Sequence, residues 1–158
     1  MKTRTTQCLR PLLWLFCLTW LAVLVWLSSQ DGAATAETSI RIAKFLMRLW
    51  QIPAARLADV DSLLRTLAHF AGFLVLGCAA FVTVRLTWPK QRHSALWVIA
   101  LCSPIAVLDE VKKIFIPGRH LSWAEAGLNI LGVAVGVTIP LVCGAIRNRH
   151  IRHTISKP

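Results

Sequence analysis

Six polar residues stand out in an otherwise apolar chain: His69, Asp109, Glu110, Arg119, Glu125 and Asn129. His69 with Asp109 or Glu110 would make an acid–base pair, because imidazole changes charge near neutral pH and a carboxylate can hold its proton. Arg119 offers a planar fork of donors that suits a carboxylate or a phosphate. Asn129 can donate and accept. Each residue also has a plainer role. A histidine or asparagine within a membrane often hydrogen-bonds between helices. Asp109 and Glu110 have Lys112 and Lys113 beside them as counter-ions. Arg119 would sit in a loop near lipid headgroups, and Ser122-Trp123-Ala124-Glu125 has the form of a capping box that would account for Glu125. Two acids at the C-terminal end of a helix oppose its dipole and need a reason to be there. Adjacent helical residues point about 100° apart, so one of the two is expected to face the interior.

No nucleophile elbow, HExxH motif or phosphate-cradling glycine loop is present. The five cysteines, Cys8, Cys17, Cys78, Cys102 and Cys143, form no CxxC pair. None falls in the segments assigned below to the outer face, so no disulfide, metal site or cofactor is expected.

The elements that must position these residues follow from composition. The 158 residues suit one domain. Hydrophobic residues make up 56%, charged residues 16%, and mean hydropathy is +0.59. So little polar surface could not clothe a water-soluble core, and a bilayer is the solvent indicated. A spanning helix needs about 20 apolar residues. Four runs meet or approach that length: 12–27, 63–86 with His69, 95–108 extending to Val111, and 126–146.

The net charge of +11 is not one patch. Lys2, Arg4 and Arg10 precede the first run, Arg85, Lys90 and Arg92 follow the second, and Arg147, Arg149, Arg152 and Lys157 follow the fourth. No acid lies among them. The other two loops hold all seven acids: Asp31, Glu37, Asp59, Asp61, Asp109, Glu110 and Glu125. This asymmetry places both termini and the middle loop in the cytoplasm of a multi-pass protein of the cell membrane. Residues 1–11 and 147–158 are then basic cytoplasmic tails around a membrane domain at 12–146. Scattered clusters between apolar runs also argue against nucleic-acid binding. A cleaved signal peptide ending at Ala34-Thr35-Ala36 is the competing reading of the N-terminus. Its apolar run is too long, and the site lies too far beyond it, to be favoured.

In the first outer loop, Ile40, Ala43, Met47 and Trp50 share one helical face and Arg41, Lys44 and Arg48 another. That pattern predicts an amphipathic interfacial helix. Pro53 would end it, and Asp59 or Asp61 would cap the next helix. Pro117-Gly118 marks a tight turn, and Gly132-x-x-x-Gly136 would let another helix approach closely. The fold class is therefore an all-α integral membrane protein, with four transmembrane helices and a short interfacial amphipathic helix in the first outer loop. The six polar residues come from three helices and one short loop, yet all fall at the same membrane face. They describe a polar pocket.

Four segments carry a resemblance: Ser28-Ser29-Gln30; Arg65-x-x-x-His69-Phe70 followed by Leu76-Gly77; Asp109-Glu110 followed by Phe115 and Pro117-Gly118-Arg119; and Glu125-x-x-x-Asn129-x-x-Gly132-x-x-x-Gly136. In this order, over residues 12 to 146, the chain resembles the VanZ-like family, named for an accessory teicoplanin-resistance protein. Phe73 stands where that family usually has tyrosine, Lys113 where it has glutamine, and Glu125 where it has aspartate. The resemblance implies a four-helix membrane fold and a link to envelope stress or glycopeptide resistance. It also implies a lipid-linked cell-wall precursor or a glycopeptide as ligand. Three functions fit. The favoured one is non-enzymatic binding of an envelope lipid, with Arg119 on the anion, Asn129 as hydrogen-bond partner, and His69 and Asp109 shaping the pocket. The second is a membrane enzyme using His69 with Asp109 or Glu110. The third is a structural or partner-binding protein whose contact is Gly132 and Gly136.

Overall fold

A computed structural model describes the backbone of residues 2–30 and 32–155, with side chains for 9–30, 37–147 and 149. The side chains of Lys2, Arg4, Asp31, Arg152 and Lys157, on which part of the topology reading rests, lie outside the described residues, as does that of Cys8. Five α-helices follow one another: α1 (Lys2–Ser28), α2 (Gly32–Leu49), α3 (Leu57–Thr87), α4 (Ser94–Val111) and α5 (Trp123–Ile155). Short 3-10 turns at Ala54–Arg56 and Lys112–Phe115 precede α3 and follow α4. Among the described residues there is no strand.

Among the described residues, four segments are long and apolar enough to cross a membrane: Leu9–Ser28, Ala54–Thr87, Ser94–Phe115 and Trp123–Arg147. They coincide with the four apolar runs, and the protein is a multi-pass, all-α membrane protein. Leu12, Leu15, Leu96, Leu101, Leu108 and Leu131 point outward and stay exposed, the surface expected where lipid is the solvent. At 1.5 Å per residue the 31 residues of α3 reach about 45 Å. Helix α3 therefore overruns the hydrocarbon, which the 63–86 apolar run did not convey.

Helix α3 is the centre of the bundle and touches each of the other four helices. Phe73, Leu76 and Phe81 of α3 pack with Val98, Cys102 and Ala106 of α4 and with Val133 and Val137 of α5. Helix α1 leans on α3 through two indole donors, Trp14 Nε1 to Thr87 Oγ1 at 3.2 Å and Trp20 Nε1 to the Gly72 carbonyl at 2.9 Å.

The α3–α5 contact is made backbone to backbone. A Cβ at Gly132 would lie 2.6 Å from the Phe70 carbonyl, and one at Gly77 would lie 2.5 Å from the Val133 carbonyl. One at Gly136 would strike the backbone of Leu74 and Cys78. Gly132 and Gly136 thus do admit a close helix, and that helix is α3 of the same chain. The face offered to an external partner in the third functional reading is already occupied.

Helix α2 packs on α3 through buried Ala43 and Met47. Trp50 does not share that contact, because the helix has ended at Leu49 and the indole is 65% exposed. The ending is a helix C-cap. Gln51 takes φ 53°, and the Ile52 N–H donates to the Met47 carbonyl at 2.9 Å. Such a cap stops the helix before Pro53 is reached. Neither Asp59 nor Asp61 caps α3. Arg56 stands at that position without a side-chain cap bond, and Asp61 instead accepts from Arg65 at 2.8 Å. Asp59 lies in the first turn, where negative charge favours the helix dipole.

Gly136→Ala is expected to destabilise the protein by about 1–3 kcal/mol, because the obstructing atoms are backbone and cannot rotate away. Gly127→Ala, which meets nothing within 4 Å, should be neutral or stabilising by up to about 1 kcal/mol through helix propensity. Equilibrium unfolding in mixed detergent micelles distinguishes the two.

Candidate functional site

Helix α4 ends in its two acids, and the chain then tightens into the 3-10 turn Lys112–Phe115. That turn folds two lysines back over the helix end. The carboxylates diverge by about 100°, and each meets a different neighbour. Asp109 faces α1, where Ser28 Oγ donates to its Oδ1 at 2.5 Å. Lys112 Nζ stands 2.9 Å from the same oxygen and also donates to the Val25 carbonyl of α1 at 2.8 Å. Glu110 meets α5 through Lys113, whose Nζ lies 2.6 Å from Glu110 Oε1 and 2.8 Å from Glu125 Oε2. Asp109, Glu110 and Lys113 are all buried, with Glu110 at 0% exposure.

This corrects the expectation that only one of the two acids faces the interior. Both do, because α4 ends between helices on two sides and the following turn supplies a cation to each. The lysines also offset the unfavourable placement of negative charge at a helix C-terminus.

His69 of α3 approaches the same cluster. Its Nδ1 is 3.9 Å from Asp109 Oδ2, beyond hydrogen-bond range, and Oδ2 has no hydrogen-bond partner among the described residues. Ser122 Oγ accepts the Glu125 N–H at 3.3 Å, so serine caps α5 as expected. The carboxylate of Glu125 does not complete the box. It turns to Lys113, which makes Glu125 a member of the cluster as well as a residue of the first turn.

Asn129 lies one turn further along α5 and is 1% exposed. The α3–α5 register, with Gly132 beside Phe70, puts Asn129 level with His69. The interhelical hydrogen bond open to it is not made: neither amide atom has a partner among the described residues. An unpaired buried amide costs about 1–3 kcal/mol.

Arg119 is placed by a β-turn. Its N–H donates to the Ile116 carbonyl at 3.2 Å, Pro117 fills the second position, and Gly118 takes φ 72° at the third. This is the type II arrangement, which requires positive φ at that position. The turn sends Arg119 back over the bundle.

Two cavities meet at this end. The larger, about 410 Å³, is a groove lined by Leu24, Leu27, Ile42, Leu64 and Ala68, with Gln30, Arg65, His69 and Arg119 among its polar residues. The smaller, about 170 Å³, is polar and is lined by Arg65, His69, Lys113, Gly118, Arg119, His120 and Glu125. Arg65, His69 and Arg119 belong to both. Of the six residues singled out from sequence, His69, Arg119 and Glu125 line a cavity. Asp109 and Glu110 support that wall by holding its cations and helices, and Asn129 is buried on α5.

Sequence reasoning passed over Ser28, Arg65 and His120 as site residues and took Lys113 only as a counter-ion. Arg65 had a signal, since it lies one turn before His69 on the same helical face. Ser28 had none from helical periodicity, because its partner is 81 positions away, and it entered only through the Ser28-Ser29-Gln30 resemblance.

Lys113→Ala would leave Glu110 charged, buried and unpaired, and is expected to cost about 3–5 kcal/mol. Adding Glu110→Gln should recover much of that loss. A double-mutant cycle on unfolding in detergent checks this, and additive losses would refute the coupling.

Comparison with curated proteins returned no match, and comparison with solved structures returned none. A family model described as VanZ/LLP1 matches residues 13–144. That span holds all four membrane crossings apart from their outermost ends, both cavities and the whole ion cluster. The chain belongs to the VanZ/LLP1 family.

Proposed function

We propose that this VanZ-like membrane protein is a non-enzymatic receptor for an envelope lipid at the extracytoplasmic face of the cell membrane. The observation that carries the reading is the shared wall of Arg65, His69 and Arg119 between an apolar groove and a polar pocket. A molecule with a chain on one side and a polar head on the other fits that division. Sites for such ligands combine mostly apolar lining with a few convergent polar groups.

Placement of the site on the outer face is supported by the distribution of lysine and arginine, which puts both termini in the cytoplasm. The role of α2 follows from its second apolar face. Ile42, Phe45 and Leu49 are exposed at i, i+3, i+7 spacing, beside Arg41, Lys44 and Arg48. A helix with this surface lies in the headgroup region with its apolar ridge toward the acyl chains. Helix α2 also contributes Thr38, Ser39 and Ile42 to the groove, so it sits where a lipid would enter from the leaflet. The likeness to VanZ-like proteins supports a lipid-linked cell-wall precursor or a glycopeptide as ligand, with a consequence for teicoplanin resistance or envelope stress.

The acid–base alternative has weaker support. His69 stands outside hydrogen-bond range of Asp109, and the Oε1 of Glu110 is held by Lys113.

Native mass spectrometry of the detergent-purified protein should find retained lipid. The His69→Ala, Arg119→Ala double variant should hold roughly tenfold less, the loss of about 1.4 kcal/mol of binding. Identical lipid on both would overturn the reading. For the topology, in a cysteine-free background, His120→Cys should react with a membrane-impermeant maleimide in intact cells. Gln91→Cys should react only after permeabilisation.

A further inference from the structure

The class of headgroup can be read from what the polar pocket offers, given the lipid-binding reading above. Arg65, Lys113 and Arg119 line it as basic residues, with the carboxylate of Glu125 among them. That carboxylate already accepts from Lys113 at 2.8 Å. Arg65 is engaged with Asp61 through one terminal nitrogen, and a guanidinium carries five N–H donors. The Lys113 ammonium has three N–H groups, two of which go to Glu110 and Glu125. His69 and His120 each add at least one ring N–H. The walls are therefore rich in N–H donors and poor in acceptors.

Three kinds of head can be compared against such walls. A sugar brings hydroxyl donors that find few acceptors here. An ammonium group brings only donors and repels the cations. A phosphate monoester brings acceptor oxygens alone, three of them at the terminal phosphate, with about −1.5 to −2 charge at pH 7. Size agrees. The pocket, at about 170 Å³, has room for a phosphate.

We infer that the site takes a lipid phosphomonoester, with the phosphate among Arg65, Lys113 and Arg119 and the chain along the groove of Leu24, Leu27 and Leu64. The bidentate geometry of the two guanidiniums recognises the phosphate oxygens, while the shared wall sets the distance between head and chain.

The test is a titration of the full-length protein in detergent, read by native mass spectrometry, with four probes: dioleoyl phosphatidic acid, dioleoyl phosphatidylglycerol, dioleoylglycerol and glycerol 3-phosphate. Phosphatidic acid should bind roughly tenfold more tightly than the phosphodiester and roughly a hundredfold more tightly than the other two, steps of about 1.4 kcal/mol per tenfold. Arg65→Gln and Arg119→Gln should flatten the headgroup series, weakening phosphatidic acid roughly tenfold more than dioleoylglycerol. Equal affinity for phosphatidic acid and either dioleoylglycerol or the phosphodiester overturns the phosphomonoester inference and leaves the lipid receptor standing. Glycerol 3-phosphate binding as tightly as phosphatidic acid shows that the chain contributes nothing, and the lipid reading falls with the inference. Absence of binding by every probe overturns both.

Discussion

Lys113 Nζ lies between Glu110 and Glu125, with 2.6 Å to one carboxylate and 2.8 Å to the other. Glu110 is sealed from solvent, and a lone carboxylate there would be among the most costly groups a membrane bundle could hold. The ammonium removes that cost and joins the end of α4 to the start of α5. One residue earlier, Asp109 does the same toward α1 through Ser28, and Lys112 reaches α1 as well. Two adjacent acids thus tie one helix end to two neighbours, through two cations supplied by the next turn. The cation at Lys113 gives this chain's polar pocket a charged wall.

The second constraint lies between α3 and α5. Glycines at 77, 132 and 136 bring the two backbones into contact, and this fixes their relative height to within a fraction of a turn. Arg65 and His69 ride on one helix, Glu125 and Asn129 on the other. A bulkier contact would separate the helices and open the pocket wall. In a bilayer such packing has to come from close approach, since lipid tails give helices no hydrophobic reason to associate.

These two constraints leave the remaining side of the site to α1, α2 and the Arg119 turn. The groove there is apolar because its walls are leucines that would otherwise face lipid. It becomes polar where Arg65, His69 and Arg119 converge. A boundary of that kind inside a protein matches the boundary within a lipid molecule, which is the physical basis for reading the two cavities as one site.

Four crossings were legible in the sequence, because a ~30 Å hydrocarbon layer imposes a length and an apolar composition that no other environment demands, and the spacing from Ile40 marked a helix in the first outer loop. The contact at Gly132 and Gly136 was legible as a close approach, although not that α3 makes it. His69, Arg119 and Glu125 were legible as polar residues gathered at one end of the bundle, because polar groups among apolar runs are conspicuous. The burial of both Asp109 and Glu110, the role of Ser28, the pairing of Glu125 with Lys113 and the ending of α2 at Gln51 were decided only by the tertiary structure. Each depends on which residue from a distant segment, or which backbone angle, meets a side chain in three dimensions. Hydropathy and helical periodicity report how a residue faces its own helix, and they carry no information about what stands opposite.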